Sequence, residues 1–102
     1  MLDKDFNIKI CDFGWISEDF ENKRKTFCGT YEYMAPEMVF REPYDFRIDV
    51  WALGILLFEL LHGKAPFKAK NLKEVKEKIK LGDVNFNDRI SDEAKCLIIN
   101  IL

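Results

Sequence analysis

The sequence predicts a mainly α-helical domain with a short β-hairpin at its start. Phe6, Ile8 and Ile10 alternate with polar residues, which is the period of a half-buried β-strand. Residues 50–61, VWALGILLFELL, carry one charged residue, Glu59, and this indicates a buried central helix. Two later segments carry apolar residues at the three- and four-residue spacing of amphipathic helices. We therefore expect an α-rich fold in which strands contribute little.

Composition and charge narrow the class of protein. The 102 residues are 48% hydrophobic and 33% charged, as in one soluble globular domain. A net charge of −2 gives no reason to expect direct binding to nucleic acid. The apolar run at 50–61 is shorter than the roughly 20 residues that a bilayer span needs, so no membrane partner is expected.

The cysteines and the chain ends also carry information. Cys11, Cys28 and Cys96 are odd in number and show no CxxC spacing, which favours neither a zinc site nor a disulfide framework. A reducing, intracellular compartment fits this pattern. Charged residues stand where the apolar region of a signal peptide would begin. The last residues lie inside an apolar helical pattern, so we expect a fragment of a longer domain.

The first third of the chain is predicted to contain the hairpin and a long loop. Met1 and Leu2 would end one strand and residues 5–7 would form the turn, in which Asn7 is able to take a left-handed conformation. Residues 15–35 show no period and carry a charged patch, which indicates a long surface loop. A short helix is expected over 35–40, because Pro36 suits a first helical turn.

Three longer helices follow. The helix over 48–61 is apolar on nearly all sides and ends at Gly63, with His62 at its carboxyl end. The helix over 71–80 begins with a capping-box pair, Asn71 and Glu74, and six lysines between 68 and 80 form its polar face. Ser91 or Asp92 caps a last helix over 92–102.

Five motifs occur in a fixed order along the chain. They are Asp12-Phe13-Gly14, Thr26, Gly29-Thr30, Ala35-Pro36-Glu37, and Asp49-Val50-Trp51 with Gly54. In this order and spacing the sequence resembles the eukaryotic protein kinases over essentially its whole length. The resemblance implies an α+β protein-kinase-like fold and covers part of its C-lobe. It implies an activation segment at 12–37, helix αF at 48–61, αG at 71–80 and the start of αH at 92–102.

The resemblance assigns the first motif to ATP and Mg²⁺. Asp12 matches the aspartate that ligates Mg²⁺ bridging the ATP phosphates, and a carboxylate suits a hard cation. Phe13 would pack in or out to set the active state, and Gly14 would let the backbone pivot. Cys11 would line the back of the nucleotide pocket as a small buried side chain. The alternative for Asp12 is an aspartate that caps a turn.

The later motifs imply regulation and support of catalysis. Thr26 matches the phosphorylated threonine of the activation segment, with Ser17 as a competing acceptor. Thr30 matches the threonine that contacts the catalytic aspartate and lysine, and the phrase over 29–37 is that of serine/threonine kinases. Asp49 matches the aspartate that accepts backbone hydrogen bonds from the catalytic loop; it is also read as a helix N-terminal aspartate favoured by the helix dipole.

The remaining motif residues are expected to be structural. Glu37 matches a glutamate that forms a buried ion pair with an arginine, which would lie beyond residue 102. Trp51 and Gly54 are assigned to packing. Trp15 directly after Gly14, and the phrase KTFCGT at 25–30, resemble the Aurora kinases, although the cAMP-dependent and polo-like groups share parts of them. Protein substrates and activating partner proteins are implied, as are the cytoplasm or nucleus and the centrosome, spindle or chromatin.

Several kinase motifs do not occur in these 102 residues. The glycine-rich loop, the strand lysine, the αC glutamate and the HRD loop with its catalytic aspartate are missing. We therefore expect this polypeptide to be inactive by itself, to expose apolar surface and to unfold with poor cooperativity. Two alternatives stay open: a pseudokinase or kinase-derived scaffold, and a helical interaction module that uses the lysine-rich face of residues 72–79.

Overall fold

The computed structural model describes residues 1–14 and 30–102. The helices of these ranges are α1 (Pro36–Phe40), α2 (Arg47–His62), α3 (Leu72–Leu81) and α4 (Asp92–Ile101), and a 3-10 turn spans Tyr31–Tyr33. The expected helices are present, with ends that differ by one or two residues. None of the helices in these ranges combines the length and apolarity that crossing a bilayer requires.

The Asp3 side chain makes three of the hydrogen bonds that stabilise the amino-terminal hairpin. Leu2 and Ile8 form one antiparallel bridge, and the Asp3 carboxylate accepts the backbone N–H groups of Asp5 and Asn7, each at 2.9 Å. The Asn7 amide side chain also donates to Asp3, at 3.2 Å. These bonds hold Asn7, so the left-handed residue of the turn is Phe6, with φ of 62°. Asn7, which is able to take this conformation, does not take it here.

The apolar side chains of the hairpin are not half-buried, as their alternation had suggested. Phe6, Ile8 and Ile10 are 81%, 83% and 83% exposed. Within the described ranges, the hydrogen bonds of the hairpin are all internal to residues 1–9. A two-stranded ribbon has no inside of its own, and alternation buries a strand face only when a second layer covers it.

Helix α1 follows the 3-10 turn and packs against α3. Pro36 occupies its first turn, where a missing N–H costs no hydrogen bond. The helix ends at Arg41, which has a left-handed φ of 60° and donates its N–H to the Met38 carbonyl at 3.2 Å. A core cluster joins α1 to α3 and to the residues on either side of α1: Met34, Met38, Val39, Tyr44 and Val75.

Helix α2 carries the second core cluster and packs against α4. The buried members of this cluster are Ala35, Trp51, Ile55, Ala65 and Phe67. The indole of Trp51 stacks on Phe67 with ring centroids 5.9 Å apart and planes 11° from parallel. Gly63 ends α2 with a left-handed φ of 74°, as its position in the sequence predicts.

One side of α2 remains uncovered within the described chain. Val50, Leu53 and Leu60 are 46%, 59% and 75% exposed, and Leu56 is exposed as well. An α-helix that is apolar all round needs cover on every side to bury its side chains. The described residues cover one side of α2, so it presents the apolar surface that the sequence led us to expect.

The ends of α3 and α4 follow their sequence signals. Asn71 Oδ1 accepts the Glu74 N–H at 3.0 Å, and the Glu74 carboxylate accepts the Lys70 N–H at 2.9 Å. The hydroxyl of Ser91, rather than Asp92, caps α4 by accepting the Ala94 N–H at 3.3 Å. These caps satisfy backbone donors that the first turn of a helix leaves unpaired.

Candidate functional site

Asp12, Phe13 and Gly14 follow directly after the hairpin. Asp12 has a left-handed φ of 65°, a conformation that few side chains other than Asn and Asp adopt. Its carboxylate is exposed, and Oδ1 lies 3.6 Å from the place where a Cβ on Gly14 would stand. Phe13 is 58% exposed. Phe6 and Arg41 have the same left-handed backbone in a turn and at a helix end, so the case for Asp12 as more than a turn residue rests on the order of the motifs.

Cys11 does not lie where the sequence suggested. Its side chain is exposed, whereas we had expected a small buried residue at the back of a nucleotide pocket. The reason is the same as for Ile10: no second layer in the described chain covers this segment. The role of Cys11 beside a nucleotide remains a prediction.

Asp12 offers Mg²⁺ one carboxylate ligand and not a complete set of protein ligands. Within residues 1–14 and 30–102, no three His, Cys, Asp or Glu side chains lie together as a metal-binding group. Mg²⁺ is ordinarily held by one or two carboxylates, with waters and substrate phosphates completing its shell. A single exposed carboxylate such as that of Asp12 can supply one such ligand.

Thr30 lies at the start of the 3-10 turn. Its carbonyl accepts the Tyr33 N–H at 3.0 Å, and its side chain makes no capping hydrogen bond. The residue is exposed. The backbone of Thr30 therefore fixes the turn, while the hydroxyl is not used in capping it.

The sequence did not predict the hydrogen bond that joins this turn to α2. The Tyr33 hydroxyl donates a hydrogen bond to the Glu59 carboxylate, which lies 26 residues later. This bond, together with partial burial and the negative charge of Glu59, raises the pKa of Tyr33 to about 12. Neither residue belongs to a capping or helix-pairing pattern, so no local signal could have revealed the contact.

Glu37 and Trp51 meet at a cavity of about 410 Å³ between α1, α2 and α4. Its lining also includes Arg47, Val50 and Asn100. In the described chain Glu37 forms no salt bridge, and the Trp51 Nε1–H is buried without a hydrogen-bond acceptor. The negative charge of Glu37 acts on Arg47 in the same lining and contributes to the raised pKa of that guanidinium.

Asp49 is exposed in the first turn of α2. Asp45, which we did not single out, lies just ahead of the helix, and its Oδ1 accepts the Arg47 N–H at 3.0 Å; the N-cap residue, Phe46, makes no side-chain capping bond. The Asp45 carboxylate also accepts from the Arg47 guanidinium, at 2.9 Å from Nε and 2.8 Å from Nη2. These bonds raise the pKa of Arg47. The signal for Asp45 was an acidic residue just ahead of the helix.

Gly54 lies where α2 and α4 approach each other. A Cβ on Gly54 would stand 2.5 Å from Ile101 Cγ2 and 3.0 Å from Leu102 Cδ2. Contacts this short do not occur between real side chains, so α4 can reach this position only because residue 54 has no side chain.

The structure brings some of the candidate residues together and leaves others apart. Three of the candidate residues lie where α2 meets its neighbouring helices: Glu37, Trp51 and Gly54. In the described ranges, no hydrogen bond or salt bridge links the segment 11–14 to Thr30 or Asp49. Trp15, Ser17 and Thr26 lie outside the described residues, and so do the expectations that rest on them.

Comparison with known proteins identifies the family. The family described as "Protein kinase domain" matches residues 1–102. The chain is 47% identical over 95 residues to an Aurora kinase of Dictyostelium discoideum, covering 93% of this chain and 25% of that protein. It is 43% identical over 104 residues to an Aurora kinase of Encephalitozoon cuniculi, covering 100% of this chain and 38% of that protein.

The likeness is not restricted to Aurora kinases. The serine/threonine-protein kinase akt-1 of Caenorhabditis elegans is 40% identical over 104 residues, covering 100% of this chain and 19% of that protein. The chain thus spans between 19% and 38% of the length of these three relatives. The ordered motifs, the mostly helical fold and the match along the whole sequence lead to one conclusion: the chain belongs to the protein kinase domain family.

Proposed function

We propose that the protein that carries these residues is an Aurora-like serine/threonine kinase. It transfers the γ-phosphoryl group of Mg-ATP to serine or threonine hydroxyls of protein substrates. The observation that carries this proposal is the set of motifs from Asp12 to Gly54, which stand in kinase order within a chain that matches the protein kinase domain throughout. The phrase over 29–37 supports serine or threonine as the acceptor.

Asp12 is the residue of this chain that we assign to Mg²⁺. The ion, when bound, would screen the charge on the ATP phosphates, which is the main requirement of phosphoryl transfer. The exposed carboxylate and the left-handed backbone of Asp12 support this assignment. Phe13 and Gly14 would control the orientation of that carboxylate. Thr30 and Asp49 would support the catalytic residues.

The test is Asp12→Asn in the full-length protein, assayed for Mg-ATP-dependent phosphorylation of a serine/threonine peptide library. Asparagine has nearly the same size and loses the charge, so we expect kcat/KM to fall about a hundredfold or more. Asp5→Asn is the matched control, because Asp5 is an exposed aspartate of the same hairpin and has no assigned role. We expect it to leave the rate unchanged.

The outcomes separate the kinase from its alternative. Equal activity of Asp12→Asn and Asp5→Asn would overturn the role of Asp12. A full-length protein that binds partners but transfers no phosphate would instead be a pseudokinase or kinase-derived scaffold, the second function that the sequence leaves open.

Thr26 is the proposed regulatory phosphosite. Arg24 and Lys25 precede it, and an added phosphate dianion would order the segment by pairing with arginines. Thr26→Ala should lower kcat in the full-length protein, while Ser17→Ala should not. Phosphopeptide mass spectrometry should find phosphate on Thr26; phosphate on Ser17 alone would show that the assignment is wrong.

The polypeptide of residues 1–102 is proposed to be inactive by itself. It carries no glycine-rich loop, strand lysine or HRD loop, and therefore no general base. Purified residues 1–102 should give no ATP-dependent phosphorylation under conditions where the full-length protein is active. Detectable transfer would refute this proposal.

The wider biology rests on the same likeness. We propose protein substrates and activating partner proteins, and a role inside the cell at the centrosome, spindle or chromatin. Tagging the full-length protein and following it through cell division would test this location. A uniform distribution through mitosis would count against it.

A further inference from the structure

His62, the one histidine of the chain, lies between two elements at the carboxyl end of α2. Its imidazole stacks on Phe58, with ring centroids 3.8 Å apart and planes 2° from parallel. Phe86, from the segment between α3 and α4, lies against the same ring at 5.7 Å and a tilt of 59°. The imidazole therefore contacts two aromatic rings, one from α2 and one from the segment that precedes α4.

Both ring nitrogens of His62 have partners, and these partners define where the proton is. Nδ1 lies 2.9 Å from the Phe58 carbonyl oxygen, which can only accept, so Nδ1 carries the hydrogen. Nε2 lies 3.4 Å from the backbone nitrogen of Asn87, whose N–H can only donate, so Nε2 must offer a lone pair. The contact with Asn87 exists only while the ring is neutral and in this tautomer.

We infer that His62 is a proton-sensitive latch that fastens the segment before α4 to the end of α2. When Nε2 takes up a proton, it becomes a donor that faces the Asn87 N–H, and that hydrogen bond is lost. The Nδ1–H bond to the Phe58 carbonyl survives, because a cation is favoured beside the last carbonyls of a helix. Protonation therefore releases Asn87 and leaves α2 intact.

The segment that would be released is short and directly precedes α4. Asn87 Oδ1 accepts the Arg89 N–H at 2.8 Å, and Ile90, which follows, is buried. Loss of the latch would thus loosen the residues around Asn87 up to the Ser91 cap of α4. A neutral histidine ring that takes up a second proton becomes a cation with two donors, which gives the latch its two states.

Charged side chains on the surrounding elements do not contact the ring. These side chains are Glu59 on α2, Lys64 just after it, Asp83, Asp88 and Arg89 after α3, and Asp92, Glu93 and Lys95 on α4. Glu59 accepts from Tyr33, and Asp92 pairs with Lys95 at 2.9 Å. In the part of the chain that the structure describes, none of them forms a salt bridge with His62.

Nuclear magnetic resonance of the isotope-labelled full-length protein tests the latch in two steps. Imidazole nitrogen shifts at about pH 7.5 should show the proton of His62 on Nδ1. Amide exchange of Asn87, corrected for its intrinsic pH dependence, should then become about five- to tenfold faster as His62 is protonated, which is the loss of one ordinary hydrogen bond. The Gly63 amide, bonded to the Glu59 carbonyl at 2.7 Å, is the internal control and should not change.

A variant separates the latch from general acid sensitivity. His62→Gln does not titrate, so its Asn87 exchange should lose the pH-dependent step, while the Gly63 amide stays protected. A proton on Nε2 of the wild-type protein at neutral pH would overturn the proposal even if the variant did not fold. Unchanged protection of Asn87 through the titration of His62, or an equal step in His62→Gln, would overturn it as well.

Discussion

Tyr33 donates its hydroxyl hydrogen to the Glu59 carboxylate. This bond joins the 3-10 turn after Thr30 to the carboxyl-terminal part of α2. The two residues are 26 positions apart, and the pair is partly buried. Of the candidate site residues, Thr30 is the one directly bonded to this turn, through its carbonyl and the Tyr33 N–H. The position of Thr30 therefore depends on a contact that its own motif does not contain.

Removing the Tyr33 hydroxyl should destabilise the fold modestly. Tyr33→Phe should lower the free energy of unfolding by about 1 kcal/mol, because water still reaches a partly buried pair and screens it. The measurement is chemical denaturation of the full-length protein in four forms: wild type, Tyr33→Phe, Glu59→Gln and the double variant. A double-mutant cycle with no coupling energy would show that the bond contributes nothing.

The same bond predicts a change of stability at high pH. The folded protein holds the Tyr33 proton more tightly than the unfolded chain, since its pKa is raised from 10.0 to about 12. The stabilisation is therefore complete below pH 10 and is lost as the pH rises from 10 towards about 12.

Ultraviolet titration of tyrosinate provides the measurement. The folded protein should show a late ionisation step, and Tyr33→Phe should abolish that step. A wild-type titration curve without a late step, or a late step that persists in Tyr33→Phe, would contradict the prediction.

Gly54→Ala should destabilise the protein although alanine is the better helix former. The helix preference favours alanine by roughly 1 kcal/mol, but overpacking costs about 1–3 kcal/mol. The new Cβ would stand 2.5 Å from Ile101 Cγ2, so we expect a net loss. Ile101→Ala removes that methyl group and should reduce the cost of Gly54→Ala when the two are combined. A stabilised single variant would show that α4 shifts away freely.

Trp51 should tolerate phenylalanine far better than alanine. Trp51→Ala removes the stack on Phe67 and opens a cavity, at a cost of about 3–5 kcal/mol in the free energy of unfolding. Trp51→Phe keeps an aromatic ring and also removes a buried N–H that has no acceptor in the described chain, so its cost should be clearly smaller. Equal losses in the two variants, measured by chemical denaturation, would argue against this account.

The expected fold class is confirmed, and the reason is visible in single elements. The capping pair Asn71 and Glu74, the proline of α1 and the glycines after α2 and α3 act within a few residues of where they stand. Local signals of this kind need no partner from elsewhere in the chain. The order of the kinase motifs is likewise a property of the sequence, and it was enough to indicate the family.

Contacts between distant residues were not available from the sequence. The alternation at Phe6, Ile8 and Ile10 predicted a half-buried strand, yet burial requires a covering layer that no period specifies. The left-handed turn residue is Phe6 and not Asn7, because the Asp3 carboxylate binds Asn7. Asp45, which accepts the Arg47 N–H at the start of α2, was missed although it lies near the motif aspartate.

The sequence by itself determined the helices, their caps, the family and the residues that carry its motifs, since each of these depends on neighbours in the chain or on motif order. Only the tertiary structure decided which of these residues meet: Tyr33 with Glu59, His62 with Asn87, and Gly54 with Ile101. The physical reason is that such contacts depend on how helices pack, and packing joins residues that are far apart in the chain.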